Sequence, residues 1–102
     1  MSKKPPKAYR DFVATYPRLG EAWDMAREAE ENGPLDEKTR RLIKLGVAVG
    51  AMRQGAVSSA ARKARVAGAS DEEIRQVVAL AASTLGFPSA VAIFTWVEDM
   101  AP

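Results

Sequence analysis

Three basic residues near the middle of the chain are the strongest candidates for a chemical role. Arg41 and Lys44 are three residues apart, which places them on one face of a helix, and Arg53 follows downstream. Cationic groups arranged in this way could hold a carboxylate or lactone substrate through charge-assisted hydrogen bonds. The competing interpretation, which we favour, is a solvated face that pairs with Glu37 or with acids of a neighbouring helix.

Two hydroxyl groups and four aromatic rings are further candidates. A serine nucleophile needs an adjacent base, and no arrangement supplying one is visible near Ser58 or Ser59. We interpret both as helix-surface hydroxyls and keep Ser59 only as a ligand-binding candidate. The aromatic rings could stack a ligand, but rings at helical spacing are more typical of a core or a subunit interface. They are Trp23, Phe87, Phe94 and Trp96.

The composition excludes several kinds of chemistry. The 102 residues include no Cys and no His. Disulfides, thiolate metal sites and thiol redox reactions are therefore impossible, and the usual general base near neutral pH is missing. We expect neither a metal nor another cofactor.

The charge and hydropathy pattern predicts a soluble, cytoplasmic protein. A net charge of +2 is too small to indicate a polyanionic partner, and the basic set Arg62, Lys63 and Arg65 has no interleaved aromatic residues. The longest apolar run, residues 45–52, is far shorter than a membrane span. We expect no nucleic acid and no membrane among its partners.

The apolar periodicity predicts an all-α fold, a bundle of five or six helices with a central αα-hairpin. Residues 1–7 form a flexible tail in this prediction, and residues 8–102 form a single domain. The fifth helix has the clearest start, since Ser70 and Glu73 have the spacing of a capping box. Breakers separate the predicted helices, which cover residues 8–15, 17–31, 36–53, 55–67, 70–85 and 90–100.

The third helix is the most unusual, because residues 45–52 are apolar on every side. Such a helix must be buried, either in the core or under a neighbouring subunit. Gly46 and Gly50, four residues apart, are expected to let another backbone approach closely along one face. The pattern therefore favours a homo-oligomer.

Three segments in the right order carry a family resemblance. Residues 33–45 read GPLDEKTRRLIKL, residues 64–74 read ARVAGASDEEI, and residues 85–88 read LGFP. Together they resemble the carboxymuconolactone decarboxylase and alkylhydroperoxidase D-like family over about residues 10–97. The resemblance implies a helical fold and a homotrimer or homohexamer.

The catalytic positions of that family are not occupied by catalytic residues in this chain. The resemblance places a C-x-x-C-x-x-x-H motif on Arg53, Ala56 and Ala60, and a glutamate on Arg41. Two hypotheses follow. One is a member with a degenerate site that binds a small anionic or apolar ligand or has a structural role. The other is an enzyme that acts on a lactone, carboxylate or hydroperoxide and stabilises an oxyanion with arginine.

Overall fold

The computed structural model describes residues 5–98, which form six α-helices and no strand. The all-α prediction is confirmed. Helices α1 and α2 belong to one compact unit and α3–α6 to a second, with the division between Pro34 and Leu35. The helices are α1 (Lys7–Thr15), α2 (Pro17–Glu31), α3 (Glu37–Ala51), α4 (Gln54–Val66), α5 (Asp71–Leu85) and α6 (Phe87–Glu98).

The first unit contains the helices α1 and α2. Pro17 opens α2 at its first position, where the missing N–H costs nothing. A Cβ atom on Gly20 would lie 3.2 Å from the Cβ of Val13, so only a small residue lets the two helices approach this closely. On α2, Leu19 and Trp23 are both half exposed.

The second unit begins with the predicted αα-hairpin. Asp36 caps α3 by accepting a hydrogen bond from the backbone N–H of Thr39 at 2.8 Å. The helix ends at Ala51, its C-cap residue Met52 adopts the left-handed conformation with φ 58°, and α4 begins at Gln54. This two-residue connection sets α3 and α4 side by side.

Helices α5 and α6 complete the unit and close its core. Ser70 accepts from the N–H of Glu73, and the Glu73 carboxylate accepts from the N–H of Ser70, so both halves of the predicted capping box are present. Helices α3 and α6 each pack against both α4 and α5, and therefore occupy opposite corners of the four-helix unit. The core contains Leu45, Val49, Val57, Ala61, Ala64, Ile74, Val78, Ile93 and Val97.

The expectation that α3 is buried on every side is not met within its unit. Leu45, Ala48 and Val49 are buried, whereas Val47 on the opposite face is mostly exposed. The reason is that α4 and α5 cover only one side of the helix. A covering subunit stays a prediction.

The expected glycine face is also only half right. A Cβ atom on Gly46 would lie 3.8 Å from Cγ1 of Val77, in ordinary contact with α5. A Cβ atom on Gly50 would meet nothing within 4 Å. Gly46 therefore faces a neighbouring helix of its own unit, and Gly50 faces open space.

Among the described residues, the predicted helix ends lie within two residues of the observed ones, except at the start of α6. The last helix begins at Phe87 rather than Ala90, because Pro88 is accommodated in the first turn, where a helix tolerates proline. Lys7 is already helical, whereas residues 1–4 and the predicted end at Met100 lie outside the described residues. Within residues 5–98, no helix has both the length and the apolar character required to cross a bilayer.

Candidate functional site

The four positions that the resemblance assigns to catalytic residues all lie on the hairpin of α3 and α4. Arg53 is the N-cap residue of α4, is exposed and makes no capping hydrogen bond with its side chain. Ala56 is exposed in the first turn of α4, and Ala60 is half-buried against the core. Arg41 is half-buried on α3. None of these four side chains can act as a nucleophile or as a proton shuttle at neutral pH.

The predicted cationic set divides into a pair and a separate residue. Arg41 and Lys44 are both half-buried on the same side of α3. The end of α3 at Ala51 lies about 15 Å beyond Arg41 along the helix axis, at 1.5 Å per residue. Arg53 lies past that end, exposed at the start of α4. The pair on α3 is thus the more compact candidate for an anion.

The hydroxyl and aromatic candidates are distributed over three helices. Ser58 and Ser59 are half-buried on α4, in a chain without His. Trp96 packs against the core, whereas Phe87 and Phe94 are exposed on another side of α6. Trp23 belongs to the α1–α2 unit. The three aromatic rings of α6 therefore do not face the same ligand-binding surface.

The side chain of Arg65 on α4 is largely covered by its neighbours. Arg65 donates from Nε to Oδ1 of Asp71 at 2.8 Å and from Nη2 to the carbonyl of Val97 at 3.3 Å. Its Nη1 is buried, with no partner among the described residues. Arg65 thus ties the end of α4 to the start of α5 and the end of α6.

Two further ion pairs hold the first turns of α5. Lys38 of α3 lies 3.0 Å from a carboxylate oxygen of Glu73. Arg75 contacts both carboxylate oxygens of Glu98 on α6, at 2.6 and 3.2 Å. With Arg65 and Asp71, these pairs connect α5 to α3, α4 and α6. The sequence does not predict the pairs Lys38 with Glu73 and Arg75 with Glu98, because the partners are more than twenty residues apart along the chain.

Three carboxyl groups on α5 and α6 have pKa values below the ordinary range of their residue type. The hydrogen bond from Arg65 lowers the pKa of Asp71, and that from Arg75 lowers the pKa of Glu98. The backbone N–H of Ser70 and then Lys38 lower the pKa of Glu73. A general acid or base working near neutral pH needs a raised carboxyl pKa. The three carboxylates therefore act as structural ion-pair partners.

The described residues offer little else for catalysis. Residues 5–98 include no buried polar or charged residue and no group of three or more acidic, Cys or His residues able to hold a metal ion. The comparison with family models is more informative. The carboxymuconolactone decarboxylase family model matches residues 17–99. The chain belongs to this family.

The family match spans all three segments that carry the resemblance, residues 33–45, 64–74 and 85–88. No curated protein and no solved structure matches the chain significantly. Membership accounts for the helical fold of this carboxymuconolactone decarboxylase family member, whereas its activity depends on its own residues.

Proposed function

We propose that this family member is a homo-oligomer without thiol peroxidase activity, which acts in the cytoplasm as a small-molecule-binding or structural protein. One observation carries the proposal: the chain has no Cys and no His, and the positions that the resemblance assigns to the thiols and the imidazole are Arg53, Ala56 and Ala60. A thiol peroxidase needs a thiolate that is oxidised to a sulfenate and a second thiol that reduces it. Neither sulfur is available at these positions.

The surface of α3 supports the oligomeric part of the proposal. Ile43 and Val47 lie on the face opposite to the buried Leu45 and Val49, and both are at least half exposed. Apolar side chains exposed in a row on one helix are typical of a protein interface. A second copy of the chain would cover them.

The ligand that fits the α3–α4 hairpin best is a small anion. Arg41 and Lys44 are half-buried on one side of α3, where their charges are screened less than on an open surface. A carboxylate could accept hydrogen bonds from both groups. An apolar ligand is the second possibility, since the same hairpin is rich in alanine and valine.

Arg41 and Lys44 also favour the second candidate function, which is that of an enzyme. A guanidinium group can stabilise a developing oxyanion without transferring a proton. The substrate would then be a lactone, a carboxylate or a hydroperoxide. Weighing against this candidate, the carboxyl groups with shifted pKa on α5 and α6 are held as anions by arginine, lysine and backbone donors.

A peroxidase assay tests the catalytic part of the proposal. The purified protein is mixed with dithiothreitol and tert-butyl hydroperoxide, and peroxide consumption is compared with that in buffer. We expect identical rates. Protein-dependent consumption would contradict the proposal, and its loss in Arg41→Ala would then support the arginine-based enzyme.

Light scattering tests the oligomeric part. The chain has a mass of 11.0 kDa, and we expect a particle of at least twice that mass at micromolar concentration. A monodisperse monomer under these conditions would overturn this part of the proposal. The peroxidase result would still stand, because it depends on side-chain chemistry alone.

A further inference from the structure

Helices α3 and α6 each expose an apolar stripe on the side that faces away from the core of the four-helix unit. The stripe of α3, here called the α3 stripe, consists of Ile43, Val47, Gly50 and Ala51. That of α6, the α6 stripe, consists of Phe87, Val91 and Phe94. The exposed fractions are 50% for Ile43, 68% for Val47, 73% for Phe87, 50% for Val91 and 43% for Phe94.

The two stripes match in spacing when the helices run in opposite directions. Successive members of the α6 stripe are four and three residues apart. Read backward from Ala51, the α3 stripe reaches Val47 after four residues and Ile43 after eight. An antiparallel register that sets Phe87 opposite to Ala51 also sets Val91 opposite to Val47 and Phe94 within one residue of Ile43.

The stripes also match in size. A Cβ atom on Gly50 would meet nothing within 4 Å, so Gly50 and Ala51 leave a shallow notch at the end of α3. The antiparallel register brings the most exposed ring of α6, Phe87, to this notch. At the other end, Phe94 lies within one residue of Ile43.

Net charge favours this pairing over a contact between two α3 helices. Helix α3 carries four basic residues and one acid, so two copies of it would repel each other. Helix α6 carries a single charged side chain, Glu98, which is about one quarter exposed. Glu98 is already paired with Arg75, so α6 brings almost no net charge to the contact, and an antiparallel arrangement opposes the two helix dipoles favourably.

We propose that the α6 stripe of one copy docks antiparallel on the α3 stripe of a second copy. The proposal rests on the homo-oligomer proposed above and names its contact. Because α3 and α6 occupy opposite corners of the four-helix unit, each copy presents one stripe to each of two neighbours. A contact between two different surfaces closes into a ring when the rotation permits.

Two charge substitutions test the contact. Val47→Asp places a charge in the α3 stripe, and Val91→Asp places one in the α6 stripe. Because both positions are exposed, we expect circular dichroism to show the same helical content as in the parent. Each variant alone is expected to fall to the monomer mass of 11.0 kDa. An equimolar mixture is expected to form a 1:1 dimer, because each variant retains the stripe that the other lacks.

The matched control is Leu80→Asp, at a position of α5 that is as exposed as Val47 but outside both stripes. It is expected to keep the parent mass. If Val91→Asp instead stays oligomeric while Val47→Asp does not, α3 pairs with itself and the proposed contact is wrong. If neither substitution changes the mass of an oligomeric parent, the proposed contact is wrong and the homo-oligomer stands.

Cross-linking gives an independent readout, because the natural chain has no cysteine. Val47→Cys and Val91→Cys are mixed and treated with copper(II)–phenanthroline; two copper(II) ions take up one electron each while the two thiols lose their protons and form the disulfide. We expect a cross-linked species that joins one copy of each variant, and much less cross-linking in either variant alone. Cross-linking confined to Val47→Cys alone would overturn the proposed pairing, and a monomeric parent would overturn both this contact and the oligomer.

Discussion

Met52 is the residue whose backbone conformation is least suited to its side chain. Its φ of 58° makes it the one non-glycine residue with positive φ in the part of the chain that the structure describes. A left-handed residue at the end of a helix is usually glycine, because a Cβ atom is crowded there. Gly68, with φ +100°, fills the corresponding place after α4.

We therefore expect Met52→Gly to raise the free energy of unfolding by about 1 kcal/mol, by relieving the left-handed conformation. Gly68→Ala should have the opposite sign and lower it by a similar amount, about 1 kcal/mol. Chemical denaturation of both variants measures the two changes. A loss of stability in Met52→Gly would mean that the partly covered methionine side chain matters more than its backbone.

Gly68 also illustrates what the sequence reveals at this scale. Its N–H donates to the carbonyl of Arg65, and the N–H of Ala69 donates to that of Ala64, a pattern that ends many helices. These bonds join residues within five positions, as do those of the capping box at Ser70. Local signals of this kind were predicted correctly. The conformation of Met52 was not, since methionine carries no preference for it.

At the scale of elements, α5 is tied at its first turns to three other helices. The pairs Lys38 with Glu73, Arg65 with Asp71 and Arg75 with Glu98 join it to α3, α4 and α6. Two of these pairs are separated by more than twenty residues, so only the packed helices bring the partners together. The periodicity of the sequence could predict the helices and their apolar faces but not these contacts.

These pairs predict a specific acid sensitivity. The folded pKa values of Asp71, Glu73 and Glu98 lie below the ordinary values of 3.8 for Asp and 4.5 for Glu. A lowered carboxyl pKa adds stability above the unfolded value, and this stability is lost as the pH falls through the folded value. We expect the thermal midpoint to be level near neutrality and to fall once the pH drops below 4.5.

The control for this prediction is a variant with Asp71→Asn, Glu73→Gln and Glu98→Gln together. It should unfold at a lower temperature than the parent at pH 7, and its midpoint should change less on acidification. Glu21→Gln, an exposed change on α2, should leave the parent profile unaltered. A triple variant as acid-sensitive as the parent would show that the ion pairs around α5 are not the cause.

At the scale of the whole molecule, the same apolar residues have two meanings that the sequence alone does not separate. Leu45 and Val49 face the core of the four-helix unit, whereas Val47, between them, faces outward. The apolar run predicted that α3 needs cover on all sides. Which side the chain itself covers depends on where α4 and α5 pack, and this is known only from the fold.

Gly50 offers a test in which folding and assembly change in opposite directions. In the monomeric Val47→Asp background, Gly50→Ala should raise the free energy of unfolding by about 0.5–1 kcal/mol, because alanine is the better helix former. In the parent, the added methyl group fills the notch that faces Phe87 and should shift dissociation to higher protein concentration. Denaturation measures the first effect and analytical ultracentrifugation the second.

The matched control is Gly46→Ala, whose new Cβ atom would lie 3.8 Å from Cγ1 of Val77, inside the unit and away from the α3 stripe. It should stabilise α3 in both backgrounds and leave dissociation unchanged. If Gly50→Ala strengthens assembly instead of weakening it, the aromatic ring of Phe87 does not occupy the notch. The α3 stripe would then be covered by something other than α6 of a second copy.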